Sequence, residues 1–148
     1  MPTRRALRIG ITLGLKPPER LDMQVRSYGS VKVVYLDRPA VLAATRKAVR
    51  ALARRRPEVR RVILFGSMAR GDSVPGSDVD LLVVLSESQE KFLDRIPRYN
   101  TSGIPIGVDV FPYTEAELKR MLNEGNSFVR QALAEGVTLF HRRIASVS

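Results

Sequence analysis

Apolar and polar positions change rhythm several times along the chain, and each rhythm predicts an element. From Pro39 to about Arg55 the period is helical: Val41, Leu42, Thr45, Ala48, Val49 and Leu52 share one face, while Arg46, Arg50 and Arg54 stack at four-residue spacing on another. Pro39 suits a first helical turn and Pro57 marks the stop. Arg61–Phe65 and Leu81–Leu85 then read as continuous apolar runs of strand length, followed by Ile106–Phe111. Runs that are apolar on both faces belong to covered interior strands. Between the second and third run, Glu87 to about Arg98 predicts a short helix, and Asn100–Pro105 a turn. Thr114 and Glu117 have the capping-box spacing and open a helix through Leu122. A further helix is expected from Ser127 to about Ala134, with Gly136 closing it in a left-handed conformation, and then a short strand over Val137–Phe140. Near the front of the chain, Pro17-Pro18 breaks the pattern and Val31–Leu36 predicts a strand, as an added edge or hairpin arm.

Strands and helices in this order predict an α/β (α+β) domain, a small mixed sheet covered by helices on at least one face. The 148 residues suffice for one domain with a respectable core. The expected organisation is a basic N-terminal extension, residues 1–38, followed by the domain proper, residues 39–148. Hydrophobic residues at 44% and charged residues at 27% are ordinary for a soluble globular protein. With no cysteine, disulfides and thiolate metal sites are excluded. No apolar stretch approaches the roughly 20 residues of a membrane span, and the N-terminal segment lacks a sustained apolar region with a cleavage site. No membrane association and a cytoplasmic location are therefore expected.

Charge refines the picture through its distribution. Of the net +10, residues 1–61 carry 16 Lys or Arg against 4 Asp or Glu, and residues 62–148 carry 9 against 11. The whole basic excess precedes residue 62. Such asymmetry suits either a polyanionic or acidic partner, with nucleic acid one candidate for residues 1–61, or a well-solvated basic surface.

The chemistry concentrates in one segment, VILFGSMARGDSVPGSDVDLLVVL, Val62–Leu85. Side chains two apart in a strand share a face, so Asp78 and Asp80 would set two carboxylates side by side, and a divalent cation relieves their repulsion. A strand feeding Gly66-Ser67 and then a short helix would offer free backbone N–H groups to phosphate oxygens. Asp109 interrupts an apolar strand, which is costly unless the carboxylate is paired or metal-bound. Each residue also has a structural reading. Gly66-Ser67 is compatible with a plain strand-to-helix turn, Asp78 with a turn cap after Gly76-Ser77, and Asp80 with an ion pair to Arg70. Arg70 either touches a triphosphate or braces Asp78. A P-loop is absent, and His141, the single histidine, stands among Arg142 and Arg143 as a surface residue, which argues against a Ser-His-Asp hydrolase.

Taken together, Gly66-Ser67, ten intervening residues and Asp78-Val-Asp80 resemble the signature of the DNA polymerase beta-like nucleotidyltransferase superfamily. The fuller string GSMARGDSVPGSDVDLLVV looks most like the minimal nucleotidyltransferases (MNT). The likeness covers roughly Val62–Phe111. It implies the polymerase beta-like fold and transfer of an NMP unit, AMP from ATP foremost or NMP from another NTP, to a hydroxyl. Asp78, Asp80 and Asp109 would be the catalytic residues and the ligands of Mg2+, two ions by the resemblance, with Gly66, Ser67 and Arg70 on the nucleotide. It further implies a protein partner of the helical HEPN family, whose toxin tyrosine accepts AMP while this chain acts as antitoxin. Other acceptors stay open at this point: RNA, or a small molecule such as an aminoglycoside. A non-catalytic partner-binding module is a further alternative. Only 39 residues follow Asp109, so the acceptor is expected to be gripped by a small surface, by the N-terminal extension or by a partner chain.

Overall fold

The computed structural model describes the backbone of residues 23–28 and 31–143 and the side chains of residues 36–143. The break expected at Pro17-Pro18 lies outside the described residues. The strand expected at Val31–Leu36 is present as β2, and it pairs antiparallel with an earlier strand, β1 (Met23–Tyr28), in a separate two-stranded sheet.

β2 runs directly into helix α1 (Arg38–Arg55). Asp37 caps it by accepting a hydrogen bond from the Ala40 N–H at 3.2 Å, and Pro39 occupies the first turn, where its missing N–H costs nothing. The face read from the sequence is the buried one: Val41, Thr45, Ala48, Val49 and Leu52 are buried and Leu42 partly so. Arg46, Arg50 and Arg54 are exposed.

Among the described residues the main sheet has four strands in the order β5-β4-β3-β6: β3 (Val59–Phe65), β4 (Val79–Leu85), β5 (Val108–Thr114) and β6 (Val137–His141). β4 and β5 are parallel; the other pairs are antiparallel. The two continuous apolar runs are the two central strands, as strands buried on both faces must be. Alternation along them builds two cores. Val62, Leu64, Leu81, Val83 and Leu85 pack with Val41, Val49 and Leu52 of α1, while Ile63, Phe65, Leu82 and Val84 pack with Leu118, Val129 and Ala132 on the opposite face. Those last three residues belong to α4 (Glu115–Asn123) and α5 (Ser127–Glu135), so helices cover both faces. The capping box at Thr114 and Glu117 forms as predicted.

Several boundaries differ from the sequence expectation. The helix after β4 is α3 (Phe92–Arg98), beginning five residues later than expected. β5 starts at Val108 rather than Ile106 because Ile106 and Gly107 belong to the turn, where the Gly107 carbonyl accepts from the Val79 N–H at 2.8 Å. Gly136 is extended, with φ −74° and ψ 154°, and not left-handed. Its lack of a side chain matters for another reason: a Cβ there would overlap the Ala132 carbonyl oxygen and Ile63 Cγ2, so glycine lets the chain turn from α5 into β6 tight against the sheet.

Candidate active site

One end of the sheet gathers the acidic residues. β4 is parallel to β5 with Asp80 opposite Asp109, and β3 is antiparallel to β4 with Phe65 opposite Asp80. Register partners share a face, and Phe65, Leu82 and Phe111 point toward α4 and α5. Asp80 and Asp109, in step with Leu82 and Phe111, therefore rise from adjacent strands on that same side. The Val79 N–H bond to Gly107 locks this register just before the two carboxylates. Asp78 lies immediately before β4 and not inside it; it is buried, at 4% exposure, at the end of a turn in which Ser77 and Val74 exchange hydrogen bonds of 2.9 Å. Among the described residues, no three His, Cys, Asp or Glu side chains form a ready-made metal cage.

Gly66 follows Phe65 and is constrained twice. Its φ of 75° with ψ of −158° is a backbone region open in practice only to glycine, and a Cβ on it would overlap Asp80 Oδ2. The chain then enters the short helix α2 (Ser67–Arg70), whose Ala69 and Arg70 N–H groups bond the Gly66 carbonyl at 3.0 Å. The N–H groups of Ser67 and Met68 are the ones a first helical turn leaves over. Two bonds from the Arg38 guanidinium, at 2.7 and 3.2 Å, grip the Met68 carbonyl and tie this turn to α1. The sequence holds no signal for that contact, which spans 30 positions.

A cleft of about 350 Å³ opens over this turn, lined by Phe65, Gly66, Ser67, Arg70 and Asp80 on one side and by Phe128, Gln131, Ala132 and Glu135 of α5 on the other. Three phenylalanines back it: Phe65, Phe111 and Phe128 have ring centroids 5.2 to 5.5 Å apart. Arg70 bonds Asp72 at 3.2 Å and, across the cleft, Glu135 at 2.9 Å; these two carboxylates raise its already high pKa. The Glu135 bond is invisible to local sequence reading. A larger cleft, about 620 Å³, lies at the other end of the sheet between Arg61, Leu122 and His141, and none of the predicted site residues line it. His141 is exposed.

A buried arginine holds the strand that carries Asp109. Arg95 of α3, 4% exposed, makes a two-pronged pair with Glu117 at 2.7 and 3.0 Å and donates to the carbonyls of Pro112 and Glu90, each at 3.0 Å. Every prong of its guanidinium is used, which offsets the cost of burying it. Arg95 lowers the Glu117 carboxyl to about 2, and the Thr114 N–H assists.

The donor set fits a hard cation. Carboxylate oxygens on adjacent strands, with Asp78 two residues from Asp80, are what Mg2+ uses when it is held by one or two carboxylates, with water and phosphate oxygens completing its shell.

One solved structure and one family model agree with this architecture. Among solved structures, a protein described as a candidate nucleotidyltransferase from Sulfolobus solfataricus aligns at 25% identity and a TM-score of 0.51, over 71% of this chain and 84% of its own. A toxin-antitoxin structure with AMP-PNP aligns at 20% identity and a TM-score of 0.47, over 66% of this chain and 74% of its own. No curated protein matches the chain. The family model described as nucleotidyltransferase domain matches residues 45–139, from the middle of α1 to β6 and well over half of the sequence. The chain belongs to the nucleotidyltransferase domain family.

Proposed function

We propose that the protein transfers NMP, AMP from ATP foremost, to a hydroxyl acceptor in a metal-dependent reaction. One observation carries this reading: Asp80 stands in register with Asp109 on the same side of the sheet, and its carboxylate lies directly against Gly66 in the wall of the cleft. Ser67 and the backbone of the turn hold the triphosphate, with Arg70 beside it. Asp78, Asp80 and Asp109 would be the residues to hold a divalent cation, two ions by the family resemblance, and the cation would supply neutralising charge at the phosphate oxygens. By the family resemblance, Asp109 on β5 is the carboxylate that activates the acceptor hydroxyl and takes its proton. The acceptor oxygen bonds the α-phosphorus, the bond to the β-phosphate oxygen breaks, and pyrophosphate leaves with the electron pair.

The acceptor we favour is a tyrosine of a HEPN-family toxin, with this chain as antitoxin, on the strength of the GSMARGDSVPGSDVDLLVV string. Residues 39–148 form the catalytic unit in this reading. Incubation with α-labelled ATP, Mg2+ and a HEPN-family toxin should label that protein on tyrosine. An unlabelled HEPN protein in a preparation that binds nucleotide would remove this acceptor. The exposed Arg46, Arg50 and Arg54 of α1 favour RNA as the second reading; labelled tails on added RNA, lost at raised salt, would select it.

A further inference from the structure

The cleft has an α5 wall that phosphate chemistry does not use. Phe128 is 37% exposed although Phe65 and Phe111 pack against it, at 5.5 and 5.2 Å between centroids. An aromatic ring braced from behind and open in front is a stacking platform. Gln131 comes one helical turn later on the same face and lines the same cleft. Its amide is exposed and makes no hydrogen bond among the described residues. Opposite both stand Gly66, Ser67 and Asp80.

On the nucleotidyl-transfer reading above, on which this inference rests, we infer that Phe128 and Gln131 form an adenine subsite. Phe128 stacks the base and Gln131 reads its edge. A primary amide offers a donor and an acceptor side by side. Adenine answers with the N7 acceptor and the N6 amino donor, so two bonds form together. Guanine presents two acceptors there, O6 and N7, and leaves the glutamine carbonyl facing an oxygen. Guanine would call for an arginine or lysine instead. Among the described residues that line the cleft the one cation is Arg70, and it is engaged by Asp72 and Glu135. ATP selection thus originates on α5, a helix outside the GSMARGDSVPGSDVDLLVV string.

Equilibrium binding of non-hydrolysable ATP and GTP analogues with Mg2+ tests this on the full chain and on Phe128→Ala, Phe128→Trp and Gln131→Ala. The full chain should prefer the ATP analogue by roughly tenfold or more, the discrimination one bidentate contact provides. Gln131→Ala should erase that preference by weakening ATP alone. Phe128→Ala should weaken both analogues by roughly tenfold, as loss of a stacked base does, and Phe128→Trp should recover it. Equal binding of both analogues by the full chain, or an unchanged preference in Gln131→Ala, overturns the subsite and leaves nucleotidyl transfer standing. Failure of the full chain to bind either analogue overturns both.

Discussion

At the residue scale, the most constrained position in the site is Gly66. Its backbone angles exclude other residues, and the space a side chain would need is filled by the Asp80 carboxylate. Gly66→Ala must shift either the turn or Asp80. Placement errors of about 1 Å near a reacting centre cost on the order of 100-fold in rate. Nucleotidyl transfer by Gly66→Ala should fall by about that factor or more, while circular dichroism shows the fold intact. Activity within a few-fold of the parent chain would mean that the close approach of Gly66 to Asp80 is dispensable. The sequence made this residue legible because Gly-Ser stands between an apolar run and the two aspartates. Residues whose partners are far along the chain were not legible. Arg38 meets Met68, Arg70 meets Glu135, and Arg95 meets Glu117; none of these pairs has a local pattern to announce it.

At the element scale, α1, β3, β4 and α4 were readable because each carries its own periodicity or cap: the apolar stripe of α1, the two-faced burial of the central strands, and the Thr114 box. Edges were harder. β5 and β6 border the sheet, lack the continuous burial of the centre, and have ends set by pairing. Gly136 shows the same limit, since its tight contact with Ile63 comes from strand packing and not from a helix-end motif. The strand bearing Asp109 is clamped by the Arg95–Glu117 pair, and this has a pH signature. The Glu117 carboxyl, lowered to about 2 from a reference of 4.5 mainly by Arg95, contributes its full stability above pH 4.5 and loses it as pH falls toward 2. Across that window the melting midpoint should drop several degrees more for the parent chain than for Glu117→Gln, consistent with a contribution on the order of 2 kcal/mol. Parallel melting curves from pH 5 to pH 2 would rule out the clamp as a source of stability.

At the scale of the whole molecule, the sheet works as a jig. A parallel β4–β5 pair and an antiparallel β3–β4 pair bring Asp80, Asp109 and the Gly66 turn to one end, and α5 closes a cleft over Asp80 and the turn. The charge is split differently: the basic excess of residues 1–61 includes the exposed arginines of α1, on the face of the sheet opposite α4 and α5. Asp80 and Asp109 and the basic helix therefore lie on opposite faces of the sheet, so on the proposed function a partner bound along α1 need not block the nucleotide. The central claim is that the carboxylates of the two strands bind a nucleotide through a divalent cation. Calorimetric titration with a non-hydrolysable ATP analogue, with and without Mg2+, tests it directly on the parent chain and on Asp80→Asn and Asp109→Asn. Binding that requires Mg2+ and weakens at least about tenfold in both variants, the loss typical when a partner of a metal site is removed, is the predicted result. Binding that is equally strong without Mg2+, or unchanged in both variants, would contradict the account.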